Sequence, residues 1–170
     1  KTKNHKIKFY GSFSKGIKKI NNLSKLLNML DKKNLLKSKK YQISIKKNIP
    51  QKSGLGGGSM NASAILSYFI NSKIISVKKK EIHSICHQIG SDVIFGMDRR
   101  PQVMTKNNII RYQKKMKNLN FVLTKPNFGC STKDIKKNIN LYSKPVFTSK
   151  LIDYLKTSKV KKLRNDLEKI

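Results

Sequence analysis

The sequence contains few acidic residues, few cysteines and no tryptophan. Only 8 aspartates and glutamates stand against 39 lysines and arginines, which gives a formal net charge of +31. The two cysteines, Cys86 and Cys130, have no metal-ligand spacing with the three histidines, so no zinc motif is predicted. Scarce cysteine favours a reduced, cytoplasmic setting. No apolar run approaches membrane-spanning length, so no transmembrane segment is predicted.

Arginine is also rare, and this bears on the meaning of the positive charge. Clustered lysine and arginine neutralise the phosphates of nucleic acids, so the charge is compatible with a basic nucleic-acid-binding protein. Arginine, which suits bidentate recognition of phosphates and bases, occurs at only four positions, and the lysines are spread over the whole chain. The composition therefore favours a general lysine bias with no specific nucleic-acid partner. Nucleic-acid binding stays open as the alternative from a different functional class.

Glycine is concentrated in one stretch, Pro50–Ala64. Four glycines within five positions remove side chains where the backbone turns sharply or approaches something closely: Gly54, Gly56, Gly57 and Gly58. Ser59 then begins a segment with a helical apolar face, formed by Ala62, Ile65, Leu66, Phe69 and Ile70. A glycine loop that leads into a helix presents free N–H groups and a positive dipole end, which suits a phosphate. A flexible linker is the alternative, but the strand and helix patterns on either side disfavour it.

Hydrophobic patterns on both sides of the glycine loop predict an α+β domain. Alternation predicts strands at His5–Tyr10 and Tyr41–Lys47. Apolar spacing predicts helices at Ile20–Leu30 and Glu81–Ile89, the second of which ends at Gly90. Two segments are predicted as polar connections: Lys32–Lys40 after the first helix, and Ser72–Lys80 after the helix that follows the glycine loop.

The second half of the chain carries weaker patterns. A hairpin is predicted from Pro101–Thr105 and Ile109–Gln113, with its turn at Asn107–Asn108. The remaining predicted elements are a strand at Asn120–Lys125 and helices at Ser131–Ile139, Ser149–Leu155 and Leu163–Ile170.

The order Pro-x-x-x-Gly-Leu-Gly-Gly-Gly-Ser-x-Asn-Ala at Pro50–Ala62 resembles the ATP loop of the GHMP small-molecule kinases. It does not fit a Walker A motif, because Gly58 is followed by Ser59-Met60 and not by lysine. Five other stretches resemble the family in the same order along the chain: Asn21–Lys25, Lys47–Pro50, Ile89–Val93, Pro126–Thr132 and Asn165–Glu168. The resemblance therefore extends over essentially all 170 residues.

This resemblance implies the α+β GHMP kinase fold in two parts. Residues 1–117 correspond to an incomplete N-terminal ATP-binding domain, of the ribosomal S5 domain 2-like type. Residues 118–170 correspond to the start of a ferredoxin-like C-terminal domain. The family's catalytic-lysine strand, its substrate segment and its Gly-Ser-Gly motif have no counterpart in the sequence. The chain resembles an interior piece of such a kinase, and we expect it to be inactive or nearly so by itself.

The resemblance also implies roles for individual residues in binding ATP and Mg²⁺. The ATP site comprises Lys47, Pro50, Gln51, Lys52, Ser53, Gly54, Leu55, Gly56, Gly57, Gly58, Ser59, Met60 and Asn61. Within this set, Ser59 offers its hydroxyl to phosphate or to Mg²⁺, whereas Lys47 and the helix start at Asn21–Lys25 lie toward the nucleoside. Asp92 is the general base that takes a proton from the substrate hydroxyl. The alternative for Asp92 is a helix cap, and both roles are compatible.

The triple glycine resembles one branch of the family, whose small-molecule substrate is a cytidine diphosphate-linked methylerythritol of the non-mevalonate isoprenoid pathway. The resemblance therefore implies transfer of phosphate from ATP to a hydroxyl of that substrate. The alternative within the family is a kinase that acts on homoserine, mevalonate or a sugar. The sequence does not indicate an oligomeric state.

Overall fold

The structure, a computed structural model, describes residues 4–100, 102–104, 110–112, 122 and 124. The chain divides into two compact units, Lys1–Arg99 and Arg100–Ile170. The predicted domain boundary at residue 117 stays a prediction. The predicted strand at 120–125 and the helices at 131–139, 149–155 and 163–170 lie outside the described residues, apart from the isolated positions 122 and 124.

The first unit begins with a strand–helix–strand motif. Strand β1 spans Lys6–Tyr10, helix α1 spans Asn22–Lys32, and strand β2 spans Gln42–Lys46. The strands pair in parallel, with Ile7 opposite Ile43. Parallel neighbours need a crossover connection, and α1 supplies it. Both predicted strands and the first predicted helix are confirmed, because period-two and helical spacing place apolar side chains on one face of each element.

Two further helices and a short 3₁₀ helix complete this unit. Helix α2 spans Gly57–Asn71, helix α3 spans Lys79–Ile89, and the 3₁₀ helix spans Val93–Met97. The helices and the segments next to them share one apolar core, made of Leu23, Leu26, Leu27, Leu30, Leu36, Ala62, Leu66, Phe69, Ile75, Ile85, Cys86, Ile89 and Val93. The apolar faces predicted for the three helices therefore pack against one another.

Both α2 and α3 begin two residues earlier than predicted. Gly56 adopts φ +63°, which ends the loop there and lets Gly57 and Gly58 enter the helix. In α3 the Glu81 side chain accepts a hydrogen bond from the Lys78 amide at 2.7 Å, which makes Glu81 the third helical residue. The prediction missed both starts because the apolar periodicity begins only after the first turn.

The two connections predicted to be polar contribute to the core, which corrects the sequence-based expectation. Leu36 is 1% exposed and Ile75 is 4% exposed. A bond from the Leu35 amide to the Leu30 carbonyl (2.9 Å) folds the chain back after α1. The Ile75 amide likewise bonds the Phe69 carbonyl (3.2 Å) after α2. Leu36 follows Leu35 and Ile75 follows Ile74 in lysine-rich segments. Such short apolar pairs do not establish a helical or strand period, so only these turns reveal their burial.

In the second unit, the predicted hairpin strands are confirmed. Strands β3 (Gln102–Met104) and β4 (Ile110–Tyr112) pair in antiparallel orientation, with Val103 opposite Arg111. The turn between them lies outside the described residues. Among the residues that are described, no helix is long and apolar enough to cross a membrane.

A polar cluster fastens both strands of the first unit to the end of α1. His5 Nε2 donates to Asp31 Oδ2 at 3.0 Å, and the Lys40 ammonium group pairs with the same oxygen. The Tyr41 amide donates to His5 Nδ1 at 3.1 Å, so the ring proton lies on Nε2. Burial raises the pKa of Asp31, but the hydrogen bonds from Lys40 and His5 and the positive charge of Lys40 lower it by more. Its net pKa lies below the ordinary value.

We expect Asp31→Asn to lower the free energy of unfolding by about 1 kcal/mol at neutral pH. Because the folded pKa lies below the unfolded one, this stabilisation is full above the unfolded pKa and is lost as the pH falls through the folded pKa. Urea unfolding should therefore show a difference that shrinks below about pH 3.8, the ordinary carboxyl value. Asp92→Asn, at an exposed carboxylate, is the control, and equal pH profiles for the two variants would contradict the prediction.

Candidate active site

The first turn of α2 presents backbone N–H groups that no side chain caps within the described part of the chain. Its N-cap is Gly56, which has no side chain, and the Met60 amide makes the first helical bond to the Gly56 carbonyl (3.0 Å). Helix α1 differs, because Asn21 Oδ1 accepts from the Leu23 and Ser24 amides at 3.0 and 3.1 Å. The start of α2 thus combines free donors with the positive end of a helix dipole, which suits an anion.

The loop that leads to α2 is shaped by its own side chains. Gln51 Nε2 donates to the Lys15 carbonyl at 2.6 Å, and Ser53 Oγ donates to the Pro50 carbonyl at 2.9 Å. Lys52 is exposed and Leu55 is 42% exposed. A Cβ atom built on Gly54 or Gly56 would meet no atom within 4 Å, so open space lies beside the loop. The predicted ATP-loop residues therefore divide into side chains that hold the loop and a backbone that borders open space.

Lys47 is buried beside the start of α2. Its amide donates to the Tyr10 carbonyl (2.7 Å) and its carbonyl accepts from the Phe13 amide (3.3 Å), which fixes its backbone between two segments. The side chain is only 7% exposed. A Cβ atom built on Gly57 would lie 3.4 Å from Lys47 Nζ. Within the described residues the ammonium group makes no ion pair or hydrogen bond, so the cation of a largely buried lysine lies beside the positive end of a helix.

A hydrogen bond joins the starts of α1 and α2, and the segment after α3 packs against it. Asn22 Nδ2 donates to Ser59 Oγ at 3.1 Å. A Cβ atom built on Gly90 would lie 3.6 Å from Asn22 Nδ2 and 3.8 Å from Ser59 Oγ. Ser59 was predicted for the site, whereas Asn22 was included only within a helix start assigned to the nucleoside. The sequence signal for Asn22 was the pair Asn21–Asn22. One asparagine is enough to cap a helix, so the second one was available for another role.

Asp92 lies two residues beyond Gly90, just before the 3₁₀ helix. Two residues span at most about 7 Å, so the Asp92 backbone stays near the start of α2. Its exposed carboxylate accepts a hydrogen bond from Ser91 Oγ at 3.0 Å. The side chain makes no capping bond to the 3₁₀ helix. Asp92 therefore occupies the N-cap position, as the capping alternative expects, but its carboxylate does not bond the helix and the residue is exposed.

Close packing at Gly96 holds the 3₁₀ helix against α2. A Cβ atom built on Gly96 would overlap Ser63 Oγ and would lie 2.7 Å from Ser63 Cβ and 3.1 Å from Met60 Sδ. Ser63 is 1% exposed and donates to the Met60 carbonyl at 2.9 Å, so it has no room to move. Met60 directs its sulfur toward this contact, and Asn61, also predicted for the site, is half-buried on α2.

We expect Gly96→Ala to lower the free energy of unfolding by about 2 to 3 kcal/mol, because the new methyl group overpacks a rigid contact. Gly90→Ala is the matched control, since its methyl group would have ordinary contacts of 3.6 Å or more and its φ of 171° is open to any residue. Urea denaturation measures both, and equal midpoints would contradict the prediction.

The other reactive side chains of this unit take no part in the site. Burial raises the pKa of Cys86 to about 11, so it remains a thiol at neutral pH and is a poor nucleophile. His83 and His87 are exposed on α3. Among the described residues, no group of three or more histidine, cysteine or acidic side chains could hold a metal ion.

Comparison with known proteins identifies a family and several relatives of this chain. The family model of the GHMP kinases N terminal domain matches residues 21–106, which is half of the chain. A 4-diphosphocytidyl-2-C-methyl-D-erythritol kinase of Pelagibacter ubique is 46% identical over 169 residues, 99% of this chain and 60% of that protein. The kinase of the same name from Clostridium botulinum (strain Loch Maree) is 35% identical over 137 residues, 76% of this chain and 49% of that protein.

A solved structure has the same fold. The crystal structure of 4-(cytidine 5'-diphospho)-2C-methyl-D-erythritol kinase matches with a TM-score of 0.63 at 17% identity, over 98% of this chain and 60% of that chain. This chain thus spans 49 to 60% of the curated relatives described above. The expected GHMP kinase fold is confirmed. Since the family model covers residues 21–106, the chain belongs to the GHMP kinase family.

Proposed function

We propose that this chain is the nucleotide-binding part of an ATP-dependent small-molecule kinase. The observation that carries the proposal is the position of the Lys47 ammonium group beside the uncapped start of α2: the residue is only 7% exposed, and the group has no ion pair or hydrogen bond among the described residues. Two positive features placed side by side repel each other unless an anion lies between them. The phosphates of ATP supply such an anion, and the open space beside Gly54 and Gly56 gives it room.

The loop and α2 bind the triphosphate mainly through backbone groups. The loop residues 50–56 wrap the phosphates, the N–H groups of Gly57 and Gly58 point at them, and Lys47 adds a positive charge. Ser59 donates its hydroxyl proton to a phosphate oxygen. The resemblance placed Lys47 and the start of α1 toward the nucleoside; in this proposal the Lys47 ammonium group acts at the phosphate end instead.

Mg²⁺ fits the hydroxyl and phosphate oxygens expected here. Asn22 occupies one lone pair of Ser59 Oγ and leaves the other available as a ligand. Phosphate oxygens and water supply the remaining ligands, as Mg²⁺ prefers. When bound, the ion neutralises phosphate charge.

Asp92 is the general base in this proposal. Its carboxylate takes the proton from a substrate hydroxyl, whose oxygen then bonds to the γ-phosphorus of ATP. The bond from that phosphorus to the bridging oxygen breaks, and ADP leaves. Most of the rate enhancement comes from positioning and charge neutralisation, as in other phosphoryl transfers.

The substrate we propose is 4-diphosphocytidyl-2-C-methyl-D-erythritol, phosphorylated at its 2-hydroxyl in non-mevalonate isoprenoid biosynthesis. Relatives with this name in two bacteria support it. We further propose that residues 118–170 begin a second, ferredoxin-like domain and that the protein acts in the cytoplasm without a nucleic-acid or membrane partner.

Two measurements test the proposal. The 170-residue chain should bind ATP in titration calorimetry, and absence of binding would overturn the proposed nucleotide site.

Turnover is measured with a chimera. In the chimera this chain replaces the matching 60% of the Pelagibacter ubique kinase, and the two sequences are 46% identical. ADP release should occur with the cytidine substrate and not with homoserine, mevalonate or a sugar. Preference for one of those three would overturn the proposed substrate.

A further inference from the structure

The two asparagines at the start of α1, Asn21 and Asn22, make different kinds of hydrogen bond. Asn21 caps the helix through its Oδ1 and also donates to the Lys18 carbonyl at 3.0 Å, so its side chain serves local structure. Asn22 makes no such local bond. It reaches 37 residues along the sequence, to Ser59 Oγ at 3.1 Å. Its Nδ2 atom would also lie 3.8 Å from a Cβ built on Gly58.

We propose that Asn22 is a positioning residue that sets the direction of the Ser59 hydroxyl proton toward a bound phosphate. The inference rests on the proposed function and adds a residue and a role to it. Asn22 acts on the phosphate end of the nucleotide, in contrast to the nucleoside role that the sequence implied for this helix start.

The chemistry of the two groups fixes the direction of the bond between Asn22 and Ser59. An amide nitrogen only donates hydrogen bonds, so Ser59 Oγ must accept in this contact. The Ser59 hydroxyl proton is then not used by Asn22 and is free to donate elsewhere. Ser59 lies in the uncapped first turn of α2, where the neighbouring N–H groups favour an anion. A phosphate oxygen there receives the proton, and the charge-assisted bond is stronger than a neutral one.

An acidic substitution separates this role from a structural one. A carboxylate only accepts, so Asn22→Asp reverses the bond, draws the Ser59 proton away and adds negative charge beside the phosphates. At the first residue of α1 the same carboxylate interacts favourably with the helix dipole. The melting temperature should therefore be unchanged or higher, whereas the Kd for ATP should rise about tenfold or more. Asn28→Asp, an equal charge change at an exposed position of α1, is the control.

The ligand can also be varied. Adenosine lacks phosphates, so its Kd, measured by saturation-transfer NMR, should change less than about twofold in Asn22→Asp. A loss of adenosine affinity as large as the loss for ATP would place Asn22 at the nucleoside and overturn the inference.

A double-mutant cycle tests whether Asn22 acts through Ser59. Asn22→Leu and Ser59→Ala should each raise the Kd for ATP about tenfold, and the double variant should lose no more than either alone. Independent effects, with about a hundredfold loss in the double variant, would overturn the inference while leaving the proposed function intact. Absence of ATP binding by the unsubstituted chain would overturn both. Melting temperatures identify any variant that fails to fold, and Asn22→Asp then decides the outcome.

Discussion

Asp92→Asn in the chimera should reduce kcat by about 10²- to 10⁴-fold, because asparagine has the size of aspartate but cannot take a proton. The Kd for ATP should stay within about twofold of its original value. The Asp92 side chain makes no capping bond, and within the described part of the chain its carboxylate bonds only the neighbouring Ser91 hydroxyl. Its loss should therefore leave the fold and the nucleotide loop intact. Steady-state turnover and titration calorimetry measure the two effects separately.

Ser91→Ala is the matched control for this prediction. It removes the 3.0 Å bond to Asp92 Oδ1 but keeps the carboxylate, so we expect a loss in kcat of less than about tenfold. Unchanged turnover in Asp92→Asn would show that another group removes the proton and would overturn the proposed base.

Lys47→Met should weaken ATP binding and stabilise the unliganded chain at the same time. Lys47 is only 7% exposed, and its ammonium group lies beside the positive end of α2 without an ion pair among the described residues. An unpaired charge is costly to bury, so an apolar side chain of similar length should raise the free energy of unfolding by about 1 kcal/mol. Loss of a charge-assisted bond to phosphate should raise the Kd for ATP about 10- to 100-fold.

Lys46→Met tests whether this effect depends on position. Lys46 is the preceding residue, carries the same charge and is exposed at the end of β2. It should change neither the urea midpoint nor the ATP affinity appreciably. A fall in stability in Lys47→Met, or equal ATP affinities in the two variants, would contradict the assignment of Lys47 to the phosphates.

The sequence predicted elements whose pattern is local. The four leucines of α1 recur at helical spacing, and the alternation of Ile43 and Ile45 indicates a strand. Both patterns arise because a regular backbone places one face against the core. The glycine run could likewise be recognised from sequence, since the αL backbone at Gly56 strongly favours glycine. Family membership followed from the order of such segments.

Other features depend on contacts between distant parts of the chain. Leu36 and Ile75 each belong to a short apolar pair within a lysine-rich segment, and turns bring them to the core. The direction of the Asn22 side chain depends on a helix that begins 35 positions further on, at Gly57. No local pattern contains that information, because the same residue at a helix start could face solvent, cap the helix or bond another element.

The sequence alone determined the scarcity of acidic residues, the glycine loop and the helical faces. Composition can be counted directly, and periodicity depends only on residues that are close in the sequence. Only the tertiary structure decided that Lys47 is a buried residue whose ammonium group lies beside the first turn of α2. It also decided that Asn22 meets Ser59 and that Gly96 packs directly on Ser63. These contacts exist because the common apolar core brings the starts of α1 and α2 and the 3₁₀ helix together, and charge and hydrogen-bond geometry act only over such short distances.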